Sequence, residues 1–491
     1  MKHLFTSTAN RFSSYARRGA LLLALGAAGQ TAWGQSFGPA SMYPLGTASS
    51  SPYTTNAVLG DVNRDGRLDI IVSNVEGRGS IAVLLGQPGG FTSPINYPVG
   101  TNPGYVALGD MTGDGWLDIV VYATNRSNNS DRELWILSGL ASGGFTAGAT
   151  YPVNSSNLAG IALGDLNNDG RLDVVSSILT SKAGVQFGQV GGGVGPIITY
   201  PTGYWPNNVA LGDVNSDGWL DIVIGDKTIP RSSVLLNQSG GFTPGMRYYL
   251  NQDTERGDVE VGDVNGDGML DIVSSGASSP RFPGVCYLDV VLGQAGGSFA
   301  PLTPYLLSSF LPTLVRPYID VELGDVNGDG RLDLVALTSY SGTILVLLGQ
   351  VGGSFGPVST FSAGFVAQNV SLSLGDVNGD SRLDIVFTSS HTNAVGVMLN
   401  TGTFTPLATA HPAAADVSLF PNPARGVFTV QLPVGFGSTQ AELLNALGQV
   451  VRCPAVAGPS FRVETAGLAP GVYTLRLRTD AGTVAKRVVV E

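Results

Sequence analysis

"GDVNGDGRLDLVAL", Gly324–Leu337, sets carboxylates at Asp325, Asp329 and Asp333, four residues apart, and then turns apolar. Three chemistries compete for this pattern: a general acid/base site, a metal loop, and a solvated turn. The motif recurs seven times, at 60–69, 109–118, 164–173, 212–221, 262–271, 324–333 and 375–384. Between first aspartates the intervals are 49, 55, 48, 50, 62 and 51 residues. Periods of this length mark a solenoid, an array or a propeller.

Around each copy the chain reads as four short strands. In the first unit "NAVLG" enters the motif, "LDIIVS" leaves it, and "SIAVLLG", a "QPGG" turn and "FTSPINYPVG" follow. Runs of β-branched and aromatic residues between Gly-rich turns are strand signals, and no helical period is present. Seven four-stranded units predict an all-β fold, a seven-bladed β-propeller, which closes radially and protects its edges. Outer-strand segments number eight against seven motifs, because "SFGPASMYPLG" (36–46) precedes the first copy and "GTFTPLATAHP" (402–412) follows the last. Either end is competent to complete the ring.

The 491 residues carry a net charge of −11 with only 26 Lys and Arg, so no basic stripe is available for nucleic acid. Lys2, Arg11, Arg17 and Arg18 precede the apolar run Gly19–Gly29, and Ala32 and Gly34 offer small residues for a cut before Gln35. That is a secretory signal over 1–34, and no stretch is long enough to span a bilayer. Two cysteines far apart, Cys286 and Cys453, do not make a disulfide framework. The propeller is expected over 35–407, and an Ala/Pro linker over 408–415. A small β-sandwich is expected over 416–491, where short alternating strands replace the motif.

Within the motif, position 1 is Asp61, Asp110, Asp165, Asp213, Asp263, Asp325 and Asp376. Position 3 is Asn63, Thr112, Asn167, Asn215, Asn265, Asn327 and Asn378, and position 5 is Asp65, Asp114, Asp169, Asp217, Asp267, Asp329 and Asp380. Position 7, able to offer a backbone carbonyl, is Arg67, Trp116, Arg171, Trp219, Met269, Arg331 and Arg382. Position 9 is Asp69, Asp118, Asp173, Asp221, Asp271, Asp333 and Asp384. Calcium takes six to eight hard oxygen ligands, and a glycine at position 6 suits a sharp turn with positive φ. An EF-hand ends in Glu at position 12, but Val72, Val121, Ser176, Ile224, Ser274, Ala336 and Phe387 stand there, so these loops are not EF-hands. A plain turn explains the composition but not the fixed order. Acid/base work would require seven near-identical active sites.

The loops hold 21 of the 37 acidic residues. Seven Ca²⁺ ions would take the chain to about +3. Thr112 replaces the Asn at position 3 and Ser381 the Gly at position 6, so these two sites are expected to be weakest.

On these seven copies the chain resembles the FG-GAP/VCBS repeat family, whose blades are similar to those of the integrin α-subunit propeller. The resemblance covers about residues 36–412. It implies calcium roles, up to seven ions, for the positions named above. The tail resembles the C-terminal sorting domain of type IX secretion substrates, on "SLFPNPARGVFTVQL" (418–432), "LLNALGQVV" (443–451), "LAPGVYTLRL" (468–477) and "AKRVVVE". That implies export through the type IX machinery to the surface or medium.

Beyond the leader, histidines are His391 and His411, with no setting for a triad or a zinc site. Cys286 reads as an inert thiol. The expected function is a non-catalytic, secreted or surface binding and adhesion module. The alternative is a secreted carbohydrate-active enzyme (lyase or hydrolase) or a lectin. The motif hairpins and "GQxGG" turns should share one face and the irregular loops the other. Tyr105, Tyr204, Trp205, Phe310 and Tyr340 lie in or beside those irregular loops, as candidates to meet a glycan or protein ligand.

Overall fold

The computed structural model describes residues 36–46, 54–74, 79–125, 132–141, 143–153, 158–203, 205–226, 231–243, 246–249, 254–255, 258–278, 287–307, 319–339, 341–364, 371–389 and 392–402. In the tail it describes 417–432, 438–444, 450–454, 456, 458, 460–468, 471–479 and 482–490. The expected leader, the linker, Tyr204, Cys286, Phe310, Tyr340, His391 and His411 lie outside the described residues. Two compact units are present, the first running to Thr403 and the second from Phe404.

Every regular element described is a strand. In the first unit each motif copy lies in one antiparallel sheet. The first sheet runs Thr54–Gly60, Asp69–Asn74, Ser80–Leu84 and Ile95–Pro98. Seven such sheets occur among the described residues. Six have four strands, and one adds the short Thr254–Glu255. We call them blades 1 to 7 in the order of their motifs. Second strands such as "DIIVSN" are buried along their whole length, because each sheet is covered on both faces by its neighbours. This is why they read as continuous apolar runs rather than alternating ones.

The inner strands are Thr54–Gly60, Val106–Gly109, Leu158–Gly164, Pro206–Gly212, Val259–Gly262, Ile319–Gly324 and Leu372–Gly375. Each touches the next, and the last touches the first. The glycine ending each inner strand packs against two aliphatic side chains of the following blade. A Cβ on Gly60 would stand 2.8 Å from Leu108, and one on Gly324 would stand 2.8 Å from Leu383. One on Gly375 would stand 2.7 Å from both Leu59 and Leu68, which returns the contact to blade 1.

The N-terminal segment closes the ring. Ser41–Pro44 pairs antiparallel with Ala394–Met398 and so supplies the outer strand of blade 7. Tyr43 then meets Phe91 of blade 1 edge to face at 5.3 Å. The same seam joins Tyr97 to Phe145, Tyr200 to Phe242 and Tyr305 to Phe355. Edge-to-face rings add about 0.5–1.5 kcal/mol each beyond the area they bury.

In the second unit, Ser418–Arg425 joins two strand groups. It pairs with Val427–Gln431 in one and meets the other through Ala424 and Val490. Phe428, Val430 and Phe461 from one group and Leu443, Leu475 and Val488 from the other share a single core.

Candidate functional site

Each motif is the hairpin between an inner strand and its neighbour, closed by pairs such as Gly60 with Asp69. In loop 1, Asp61 Oδ1 accepts the Asp65 N–H at 3.0 Å and Oδ2 the Gly66 N–H at 2.8 Å. Asn63 Oδ1 accepts the Asp65 N–H at 3.0 Å, and Asp65 Oδ1 accepts the Arg67 N–H at 2.9 Å. The same four bonds recur in the loops that begin at Asp165, Asp213, Asp263 and Asp376. Thr112 has no side-chain carbonyl and instead donates its hydroxyl to Asp110 at 3.4 Å.

Left-handed backbone is needed at position 6, as the sequence predicts, and Ser381 adopts it at φ 66°. It is also needed at position 4, which the sequence reading missed. Arg64, Asn168 and Ser216 sit there at φ 58°, 54° and 60°, and the other four copies use glycine.

Position 9 is placed beneath the loop. Asp69 is fully buried, its Oδ2 accepting the Val62 N–H at 2.9 Å and its Oδ1 the Gly86 N–H at 2.7 Å. All seven copies repeat this tie between loop, second strand and the end of the third. In Asp69, Asp118, Asp173, Asp221, Asp271 and Asp384 burial pushes the carboxyl up, the backbone amides pull it down, and burial wins. Asp221, Asp271 and Asp384 are raised to about 6.

Side chains at position 7 also take part. Arg331 pairs with Asp329 at 2.9 Å and Arg67 with Asp65 at 3.4 Å, while Arg171 and Arg382 contact Asp169 and Asp380. Such half-exposed pairs are weak. They set a cation against the acid at the loop tip.

The donor set (carboxylates, a side-chain amide oxygen and a backbone carbonyl) is all hard oxygen and suits calcium over softer ions. Among the described residues, no three His, Cys, Asp or Glu side chains converge on one point in a loop. Positions 1, 3 and 5 lie at the loop tip, and position 9 lies below them.

The hairpins and glycine turns do share a face. A Cβ on Gly143 of blade 2 would stand 2.5 Å from Asn63 of blade 1, and Gly192, Gly297 and Gly353 back onto Thr112, Asn215 and Asn265 in the same way. Arg64 lies 4.3 Å above the Trp116 ring, joining neighbouring loops.

The inner strands begin at the other end of the hairpins. Trp205, just before one of them, is 51% exposed at φ 55°. Tyr105 lines a cavity of about 150 Å³ with Asn56, Asn208 and the carboxyl side chains of Asp258, Glu260, Asp320 and Glu322. Tyr105 and Trp205 are thus the two candidates on this face that can be placed. The four acids were missed, although "DVEVGD" (258–263) and "DVELGD" (320–325) stand out from the Asn, Tyr, Gly, Ser, Ala and Val at the same positions in other repeats.

Comparison with protein families matches residues 61–121, 213–274 and 325–387 to the FG-GAP-like repeat, and 418–491 to the secretion system C-terminal sorting domain. No curated protein matches the chain. Among solved structures it is similar to an Agrocybe aegerita lectin described as recognising non-reducing terminal N-acetylglucosamine. The identity is 16% and the TM-score 0.47, over 72% of this chain and 87% of that one. It is also similar to BBS1N crystallised with ARL6DN, at 11% identity and TM-score 0.47, over 74% and 99%. A Lactobacillus plantarum protein matches at 16% and 0.44, over 66% and 89%.

Fold and loops together define an all-β repeat protein of the propeller class. Within it, this chain carries FG-GAP-like repeats and a type IX sorting domain, which marks it as secreted or exposed on the cell surface. No described helix is long and apolar enough to cross a membrane.

Proposed function

We propose that the protein is a calcium-stiffened, non-catalytic binding or adhesion module working outside the cell, delivered by the type IX machinery that reads its tail. One observation carries the calcium reading. Five loops repeat a single hydrogen-bond skeleton that fixes positions 1, 3 and 5 at the tip, and in loop 1 each Asp61 oxygen and Asp65 Oδ1 accepts one backbone N–H and keeps a second lone pair. In loop 1 the ion would be held by Asp61, Asn63, Asp65, the Arg67 carbonyl and Asp69, with counterparts in the other six. It would supply charge neutralisation and stiffness to the loop, displacing Arg67 from Asp65.

The binding surface we assign is the face opposite the loops. Trp205 there holds an exposed ring in a backbone conformation that costs of order 1–3 kcal/mol, strain typical of functional positions. A glycan array probed with the mature protein in calcium should give hits that Trp205→Ala loses while its melting temperature stays within about 2 °C of wild type. A large fall in melting temperature would make Trp205 a packing residue. Turnover in a parallel polysaccharide-degradation panel would overturn the non-catalytic reading in favour of a secreted carbohydrate-active enzyme.

A further inference from the structure

Blades 5 and 6 meet at the Tyr105 cavity through four carboxyl groups that the loop motif does not use. Asp258 and Asp320 are buried and line the same cavity, close enough for their carboxyl groups to interact. Two ionised carboxylates have no donor between them, so a hydrogen bond joining this pair would need one proton. Asp258 already accepts the Val259 N–H at 3.0 Å, the Val321 N–H at 2.9 Å and the Asn208 side-chain amide. Among the described residues, Asp320 accepts one backbone bond, from the Leu372 N–H at 2.6 Å. Asp258, with three donors, is thus the better placed of the two to hold a charge, and Asp320 the better placed to keep a proton.

These bonds run from blade 4 to blade 7: Asn208 to Asp258, Asp258 to the backbone of blade 6, and Asp320 to the backbone of blade 7. Glu260 and Glu322 flank the pair in the same cavity. The remaining lining is Asn56, Tyr105, Asn208 and aliphatic side chains. Tyr105 is the only other titratable group there, and no Lys, Arg or His among the described residues lines the cavity.

We propose that this cluster is a proton-held seam: the inner strands of blades 5 and 6 stay joined while the acids keep their protons, and the seam loosens when rising pH removes them. Burial, and then the charge on Asp258, push Glu322 up to about 8. Burial first, with neighbouring carboxylates adding, raises Glu260 and Asp320 as well. Folded chains thus keep protons that unfolded chains release near the ordinary carboxylate range. For Glu322, stability is full below about pH 4.5, falls as pH rises toward about 8, and levels off beyond.

The mature chain in 1 mM calcium should be melted at pH 5 and pH 9 beside Glu322→Gln, which keeps the shape but cannot ionise. The variant should gain about 2–4 °C at pH 9 and less than about 1 °C at pH 5. An equal shift at both values overturns the seam. Asp320→Asn still offers an N–H to Asp258 and an oxygen to Leu372, so it should show the same pH-dependent gain. The wild type gives a reading that needs no variant. Amide exchange over 319–324 should quicken between pH 6 and 9 by more than the intrinsic tenfold per pH unit, and a merely intrinsic increase refutes the proposal.

Discussion

At positions 4 and 6 of each loop a single torsion decides what a side chain costs. Ser381 holds φ 66° where six copies have glycine at φ 82–87° and none of the glycines has a neighbour other than Arg64 near its would-be Cβ. Ser381→Gly should therefore stabilise the ring by about 1 kcal/mol, read as a higher denaturation midpoint. Arg64→Gly should gain less, because it gives up the stack on Trp116. Position 6 was legible because glycine nearly always fills it. Position 4 was also written in the sequence, with four glycines, one Asn, one Ser and one Arg, but mixed occupancy hides a shared backbone requirement. The cavity acids were equally visible as letters. Only the juxtaposition of two inner strands 62 residues apart shows that they meet.

On the scale of the hairpin, the aspartate that spacing groups with the metal ligands is also the peg that fastens three strands. Distance along the chain gives its four-residue offset from position 5, but not the amide of Gly86 arriving from the third strand. Removing it leaves two buried N–H groups without acceptors, at about 1–3 kcal/mol each. Asp271→Ala should thus cost about 2–6 kcal/mol even in EDTA. Asp267→Ala, at the exposed tip, should cost less than about 1 kcal/mol in EDTA and more in calcium. Chemical denaturation of both variants with and without the ion separates peg from ligand. Equal losses in EDTA would abolish the distinction.

For the whole ring, the proposed calcium would act by mass action. At 1 mM ion and a Kd of about 10⁻⁴–10⁻³ M, each loop would gain roughly 0.4–1.4 kcal/mol, and seven would gain on the order of 3–10. EDTA should lower the melting temperature by more than about 5 °C, and an unchanged transition would sink the calcium reading. The all-β class and the repeat were readable from period and composition alone. Which terminus completes the last blade was not, since both flanking segments have the same pattern, and pairing of Ser41–Pro44 with Ala394–Met398 decides it. That pairing makes the ring a circle without a privileged starting point. A gene for the ring alone, opened between any two blades and with residues 36 and 402 joined, should encode the same circle, because the Thr401 N–H bonds the Ser36 carbonyl at 2.8 Å and makes those ends neighbours. It also fixes an order of events during synthesis. The first strand made must wait, unpaired, until the ribosome has delivered residue 398, so the ring closes only when nearly all its sequence exists.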